Sequence, residues 1–159
     1  MDTRLHVRSD QNRTTPARGA QTMSTHARSP RAGSGPDPHV VLVVDSNPAL
    51  LQTLDTILKS SGWTCVTAAD TLSALCCMVE HAPQAVLIDA DAGPLGVWQF
   101  SALLRQHPDF NRVRLIISSN RDDIVERARA EAAGAECFLP RPFAVDEVLN
   151  ILTEQRGQA

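Results

Sequence analysis

"AVLIDADAGPLG" (residues 85–96) decides how this chain is read. Four apolar residues of strand type run straight into Asp89, and a second carboxylate, Asp91, follows in a loop of small residues. An unbroken apolar run of this length suits a strand covered on both faces, as in a parallel sheet. The carboxylate at its end is then either the polar stop of a strand or a working group. Taken alone, Asp89 reads as the former, because strand runs are commonly bounded by Asp. Its surroundings decide otherwise.

Similar runs recur on either side, alternating with helical patterns. "VVLVVD" (40–45) precedes a helix capped by Asn47, with Pro48 in its first turn and Leu50, Leu51, Leu54, Ile57 and Leu58 on one face before Gly62 ends it. "WTCVTAA" (63–69) is a second strand, Asp70 caps a second helix, and Pro83 leads into the third strand, "QAVLID". A third helix over Val97 to Gln106 buries Trp98 or Phe100 with Leu103 and Leu104. "VRLIIS", the helical "RDDIVERARAEAAGA", "ECFLP" and "FAVDEVLNILTEQ" complete five strand-helix units. The alternation predicts an α/β fold, a doubly wound parallel sheet of five strands with five helices.

In such a sheet the ligand crevice lies beyond the carboxyl ends of the strands. Those ends carry Asp45 with Ser46, Asp89 with Asp91, Ser118 with Ser119, and Pro140 with Arg141. Carboxylates, hydroxyls and a cation thus converge from four strands, where nothing in the stability of the fold requires them. A carboxylate can attack phosphorus and form an acyl phosphate when cations neutralise the transferring oxygens. Asp45 and Asp89 could supply carboxylates to Mg²⁺, and Ser119 and Arg141 could each bind a phosphoryl oxygen.

These residues resemble the receiver domains of bacterial two-component response regulators, over residues 39 to 157. "VLVVDSNP" is similar to that family's first strand and acidic pair, "AVLIDADAGPLG" to its phosphoacceptor loop, "LIISSN" to its Ser/Thr strand end, and "GAECFLPRPF" to the segment carrying its aromatic switch and Lys-Pro. The resemblance implies a flavodoxin-like strand order 2-1-3-4-5, with Asp89 accepting phosphoryl from a histidine kinase or phosphotransfer protein. It further implies Asp45, Asp89 and Asp91 around Mg²⁺, the last through its carbonyl; Ser119 as switch hydroxyl; Phe138 as switch aromatic; and a cis Arg141-Pro142 bond. The region of the fourth helix, fifth strand and fifth helix would face a downstream protein partner, or a second copy in a homodimer. The chain would be a signalling module rather than an enzyme, beyond its own phosphorylation from a donor.

Three departures make the acidic pocket atypical. Ser46 stands where the family has the second carboxylate of its acidic pair, and a neutral hydroxyl is a weaker Mg²⁺ ligand. Arg141 replaces Lys, exchanging a compact ammonium for a planar fork. "AGPLGV" replaces the usual Met-Pro and Asp-Gly of the loop. Two readings follow. Either Asp91 swings in and metal-dependent phosphorylation survives with weakened Mg²⁺ affinity, or Arg141 pairs with Asp89 or Asp45 and the chain is a pseudo-receiver that signals through binding alone. The first is favoured, because acceptor, hydroxyl, cation and first Asp remain. A third reading, a haloacid-dehalogenase-type phosphatase, rests on the similarity of "VLIDADAG" to that family's Asp-x-Asp motif, with Asp122 and Asp123 as a later acidic motif. It needs a downstream lysine, and the only lysine, Lys59, lies upstream.

Residues 1–38 are rich in Arg, Ser, Pro and Gly and lack apolar periodicity, so a disordered tail is expected there, with Met23 an alternative start to Met1. Six of the 15 Lys and Arg and three of the 18 Asp and Glu lie in this tail, leaving the tail at +3 and the remainder at −6. A domain of that charge is a poor partner for nucleic acid. No stretch approaches the roughly 18 apolar residues of a membrane span, and no DNA-binding module follows, so a stand-alone cytoplasmic relay is expected. Cys65, Cys76, Cys77 and Cys137 show neither metal nor disulfide spacing and read as small core residues.

Overall fold

The five apolar runs become strands because each has hydrophobic side chains on both of its faces and therefore needs cover on both. The computed structural model describes residues 39–154; the expected tail over 1–38 lies outside them. The strands are β1 (Val40–Val44), β2 (Thr64–Ala68), β3 (Ala85–Asp89), β4 (Arg114–Ser119) and β5 (Cys137–Pro140), joined in the order β2-β1-β3-β4-β5. Every pairing is parallel, with Val44 opposite Ile88, Asp89 opposite Ser118 and Ser119 opposite Pro140. This is the flavodoxin-like topology.

Alternation along each strand sorts the core into two layers. Leu42, Val44, Val86, Ile88, Leu115 and Ile117 pack with helices α2 (Thr71–His81), α3 (Val97–Gln106) and α4 (Ile124–Ala132). Val41, Val43, Leu87 and Ile116 point the other way, onto α1 (Pro48–Ser60) and α5 (Val145–Glu154) through Leu54, Leu58, Val148 and Leu152. Trp63 is buried in this second layer, whereas Trp98 is half-buried against the first.

The caps place the helix starts beside the strand ends. Asn47 Oδ1 accepts the backbone N–H groups of Ala49 and Leu50 (3.0 and 3.3 Å), and Asp70 and Asp123 accept those of Ser73 and Glu126 (2.8 and 2.9 Å). Gly134, at φ +79°, turns the chain out of α4, a left-handed conformation that favours glycine.

Two expectations about packing are corrected. In α3 the buried positions are Val97, Phe100, Ser101 and Leu104, the i, i+3, i+4, i+7 stripe, while Leu103 is 46% exposed. Of the four free cysteines, Cys65 is buried and burial pushes its thiol up to about 12; Cys77 and Cys137 are half-buried and Cys76 is exposed. β2 and β5 each begin one residue later than the runs quoted above, and β4 extends to Ser119, one residue past "VRLIIS".

Candidate functional site

The carboxyl ends of β1, β3 and β4 meet at one edge of the sheet and carry the buried polar side chains Asp45, Asp89, Ser118 and Ser119. Asp45 is 3% exposed and Asp89 4%, which is unusual for carboxylates that are not fully paired. Backbone bonds fix both: Asp45 N–H donates to Ala68 C=O (3.1 Å), and the Ala90 N–H just after Asp89 donates to Ser118 C=O (2.7 Å). Asp45 Oδ1 in turn accepts the Asn47 N–H (2.8 Å), which ties the acid to the start of α1.

Arg141 enters from the end of β5, where its N–H donates to Ser119 C=O (2.9 Å). Its guanidinium lies between the two acids. Nη2 donates to Asp45 Oδ2, and Nη1 is 3.3 Å from Asp89 Oδ2. The guanidinium also lies 5.6 Å from the Phe143 ring centroid, and the Arg141-Pro142 peptide is cis, as the resemblance implies. A cleft of about 280 Å³ opens beside it, lined by Asn47, Leu50, Asn120, Arg141, Pro142 and Phe143.

Asp89 is only half satisfied. Its Oδ1 is buried and has no hydrogen-bond partner among the described residues. Burial pushes its carboxyl above the usual range; Arg141 and the nearby Asp91 N–H pull it back in part, and the Asp45 and Asp91 carboxylates add to the rise.

Asp91 and Ser46 are exposed. The structure thus gathers Asp45 and Asp89 around a guanidinium and leaves Asp91 at the surface. Among the described residues no group of three His, Cys, Asp or Glu side chains could hold a metal ion.

Ser119 lies in the site but is engaged elsewhere. Its Oγ accepts the Arg121 N–H (3.1 Å) and donates to Glu126 Oε1 (3.4 Å). Ser118 Oγ points instead at Ile88 C=O (3.5 Å). Phe138 is half-buried, with the Arg127 guanidinium 5.0 Å from its ring centroid.

Glu126 is the residue that sequence reasoning missed. Only 5% exposed, it is the third residue after the Asp123 cap, where Glu normally signals a capping box at the helix surface. Here it turns inward to Ser119, and its Oε2 has no hydrogen bond among the described residues, with Arg129 Nη1 at 3.8 Å.

The comparisons with known proteins agree with this fold. The sequence profile described as the response regulator receiver domain matches residues 41–153, and the chain belongs to that family. Protein PilG of Pseudomonas aeruginosa is 27% identical over 112 residues, covering 70% of this chain and 83% of the relative. Response regulator MprA of Mycobacterium sp. strain KMS is 31% identical over 69% of this chain but only 46% of its own length.

Two solved structures share the fold. Chemotaxis response regulator CheY4 of Vibrio cholerae has a TM-score of 0.69 at 20% identity, covering 74% of this chain and 98% of that one. The receiver domain of sensor histidine kinase PA1611 from P. aeruginosa, with magnesium coordinated in its active-site cleft, has a TM-score of 0.68 at 23% identity, covering 76% and 99%.

The chain is therefore a signalling module of two-component type. The phosphatase reading falls with that membership, and its residues have other work. Lys59 pairs with Asp55 on α1 (2.9 Å), Asp122 pairs with Arg127, and Asp123 caps α4. No helix among the described residues is long and apolar enough to cross a membrane.

The magnesium implied by the family does not fit the donor set as it stands. Magnesium needs carboxylate oxygens and near-octahedral space. Here one oxygen of each buried acid faces Arg141, and the neighbouring Ser46 brings no charge.

Proposed function

We propose that this receiver accepts a phosphoryl group on Asp89 from the phosphohistidine of a histidine kinase or phosphotransfer protein, and passes the change to a protein partner through the α4-β5-α5 face. The observation that carries this reading is Asp89 Oδ1, a buried carboxylate oxygen with no hydrogen bond at the end of β3. That oxygen attacks phosphorus; the new O–P bond forms as the P–N bond of phosphohistidine breaks, and the electron pair leaves with the imidazole nitrogen. Arg141, already on Oδ2 of the same carboxylate, neutralises charge on the transferring oxygens. Ser119 donates its hydroxyl to one of them once it is released from Glu126.

The readout begins at that release. Moving Ser119 disturbs Glu126 on α4, and Arg127 of the same helix covers Phe138. Phosphorylation then biases two arrangements of α4 and Phe138 that differ little in energy. Ile124, 83% exposed, and Val125, also exposed, give the start of α4 an apolar surface suited to a partner protein.

Intact-protein mass spectrometry after incubation with acetyl phosphate tests the reading. One phosphoryl adduct is expected on the wild type and none on Asp89→Asn. A folded wild type with no adduct, with or without Mg²⁺, would overturn it and leave the Arg141 bridge as the lock of an unmodified interaction module.

A further inference from the structure

We infer that the Arg141 guanidinium occupies the place of the divalent ion, so that this receiver holds its own cation between Asp45 and Asp89 and is refractory to Mg²⁺. The inference rests on the reading of this cleft as the receiver's acidic site and adds what neutralises it. Arg141 presents one terminal nitrogen to each acid, Nη2 to Asp45 Oδ2 and Nη1 to Asp89 Oδ2, and so spans two carboxylates as a bridging ion would. A lysine ammonium is a point charge without that span.

Three further features favour the resident cation. The side chain is aimed by its own backbone, through the Arg141 N–H bond to Ser119 C=O, and flanked by the Phe143 ring. A tethered cation competes at an effective concentration of about millimolar or more. A guanidinium is also weakly hydrated, whereas Mg²⁺ gives up its water reluctantly.

The charge count points the same way. With Ser46 in place of an acid, the buried pair carries two negative charges at most, and Arg141 already offsets one. A divalent ion entering beside the guanidinium would meet a like charge, and one displacing it would leave the half-buried Arg141 without its acids. The substitutions at 46 and 141 therefore belong together: loss of a metal-binding acid and gain of a forked cation are two halves of one exchange.

Metal binding, read independently of phosphorylation, tests this. Mn²⁺ is titrated into isotope-labelled full-length wild type, Arg141→Ala and Arg141→Lys, following paramagnetic broadening of the Asp45, Asp89 and Asp91 amides, with Mg²⁺ as competitor. A thermal melt on each variant establishes that it is folded; Arg141→Lys is included because Arg141→Ala leaves two buried acids unpaired.

The expected result is no site-specific broadening of the wild type at Mn²⁺ levels that broaden both variants, corresponding to roughly tenfold tighter binding once the guanidinium is gone. Wild type that binds as tightly as the variants would overturn the inference. So would variants that fold yet gain no binding, since the missing acid at Ser46 would then be sufficient cause. An adduct on Asp89 together with metal bound by the wild type would sink the inference alone. A metal-refractory wild type without adduct would sink the proposed function alone.

Discussion

Two arginines sit at opposite ends of the same strands, each against acid, and they are used in opposite ways. At the amino ends of β4 and β5, Arg114 forks onto Glu136, with Nε and Nη2 contacts of 2.7–3.1 Å. Its remaining donors reach the Ile151 and Leu152 carbonyls near the end of α5 (2.7 and 3.2 Å). One acid faces one cation, and the helix-end carbonyls are satisfied as well. At the carboxyl ends, Arg141 is shared by two acids, and the two buried side-chain oxygens that lack a hydrogen bond among the described residues, Asp89 Oδ1 and Glu126 Oε2, both lie on this side. Arginine and carboxylate thus make a clasp at one end and an unsettled cluster at the other. Satisfaction, more than composition, separates the structural pair from the one proposed to react.

The comparison breaks first at Arg114. Arg114→Ala leaves Glu136 without its fork and two α5 carbonyls without a donor, and is expected to cost about 2 kcal/mol in urea denaturation. Its adduct level with acetyl phosphate should equal that of the wild type. A loss of adduct in a folded variant would mean the two ends are coupled.

The next effect is at Asp89 and depends on pH. Burial, the main cause, holds its proton more tightly in the folded chain than in the unfolded one. The folded state therefore binds more protons, and the associated stability is full below the ordinary carboxylate range and lost as pH rises through the raised folded value. Asp89→Asn, which cannot ionise, should gain in urea midpoint relative to wild type on going from acid to neutral pH. A gap independent of pH would show that folding leaves the proton affinity of Asp89 unchanged, against the effect of its burial.

Smaller changes sharpen the same contrast. Glu126→Gln removes the charge that holds the Ser119 hydroxyl, and the initial rate of adduct formation is expected to rise roughly twofold, with stability changed by less than about 1 kcal/mol. An unchanged rate would show that Ser119 is not restrained by Glu126. Smallest of all, Arg127→Ala uncovers the Phe138 ring at a cost of about 0.5 kcal/mol, and should increase the ring's flipping and exposure by ¹⁹F NMR of fluorinated phenylalanine.

The fold was legible because parallel strands announce themselves as unbroken apolar runs and because Asn47 and Asp70 mark helix starts by a local rule. The face of α3 was harder to read. Leu103 and Leu104 are adjacent and equally apolar, and the buried stripe passes through Ser101, whose hydroxyl donates to Val97 C=O (2.7 Å) and so needs no water. Hydropathy cannot show that a serine will be satisfied locally.

At the site, Asp45, Asp89, Ser119 and Arg141 could be selected as strand-end residues, but which acid Arg141 would meet was left open, with Asp45 96 positions away along the chain. The answer, both acids, follows from the reach of a fork. Glu126 was hidden by its own context, since Asp-x-x-Glu at a helix start already has a sufficient local explanation.

The placement of the tryptophans has a practical consequence. The chain contains no tyrosine and two tryptophans, and these lie against opposite layers of the sheet. Trp63 is buried in the layer shared with α1 and α5, while Trp98 is half-buried with the Arg129 guanidinium of α4 5.9 Å from its ring centroid. The protein is thus a two-lamp instrument with one lamp shuttered: collisional quenchers in solution reach Trp98 and spare Trp63. Any rearrangement of α4 can be followed as a change in the quenchable fraction of emission, without a dye and without altering a residue.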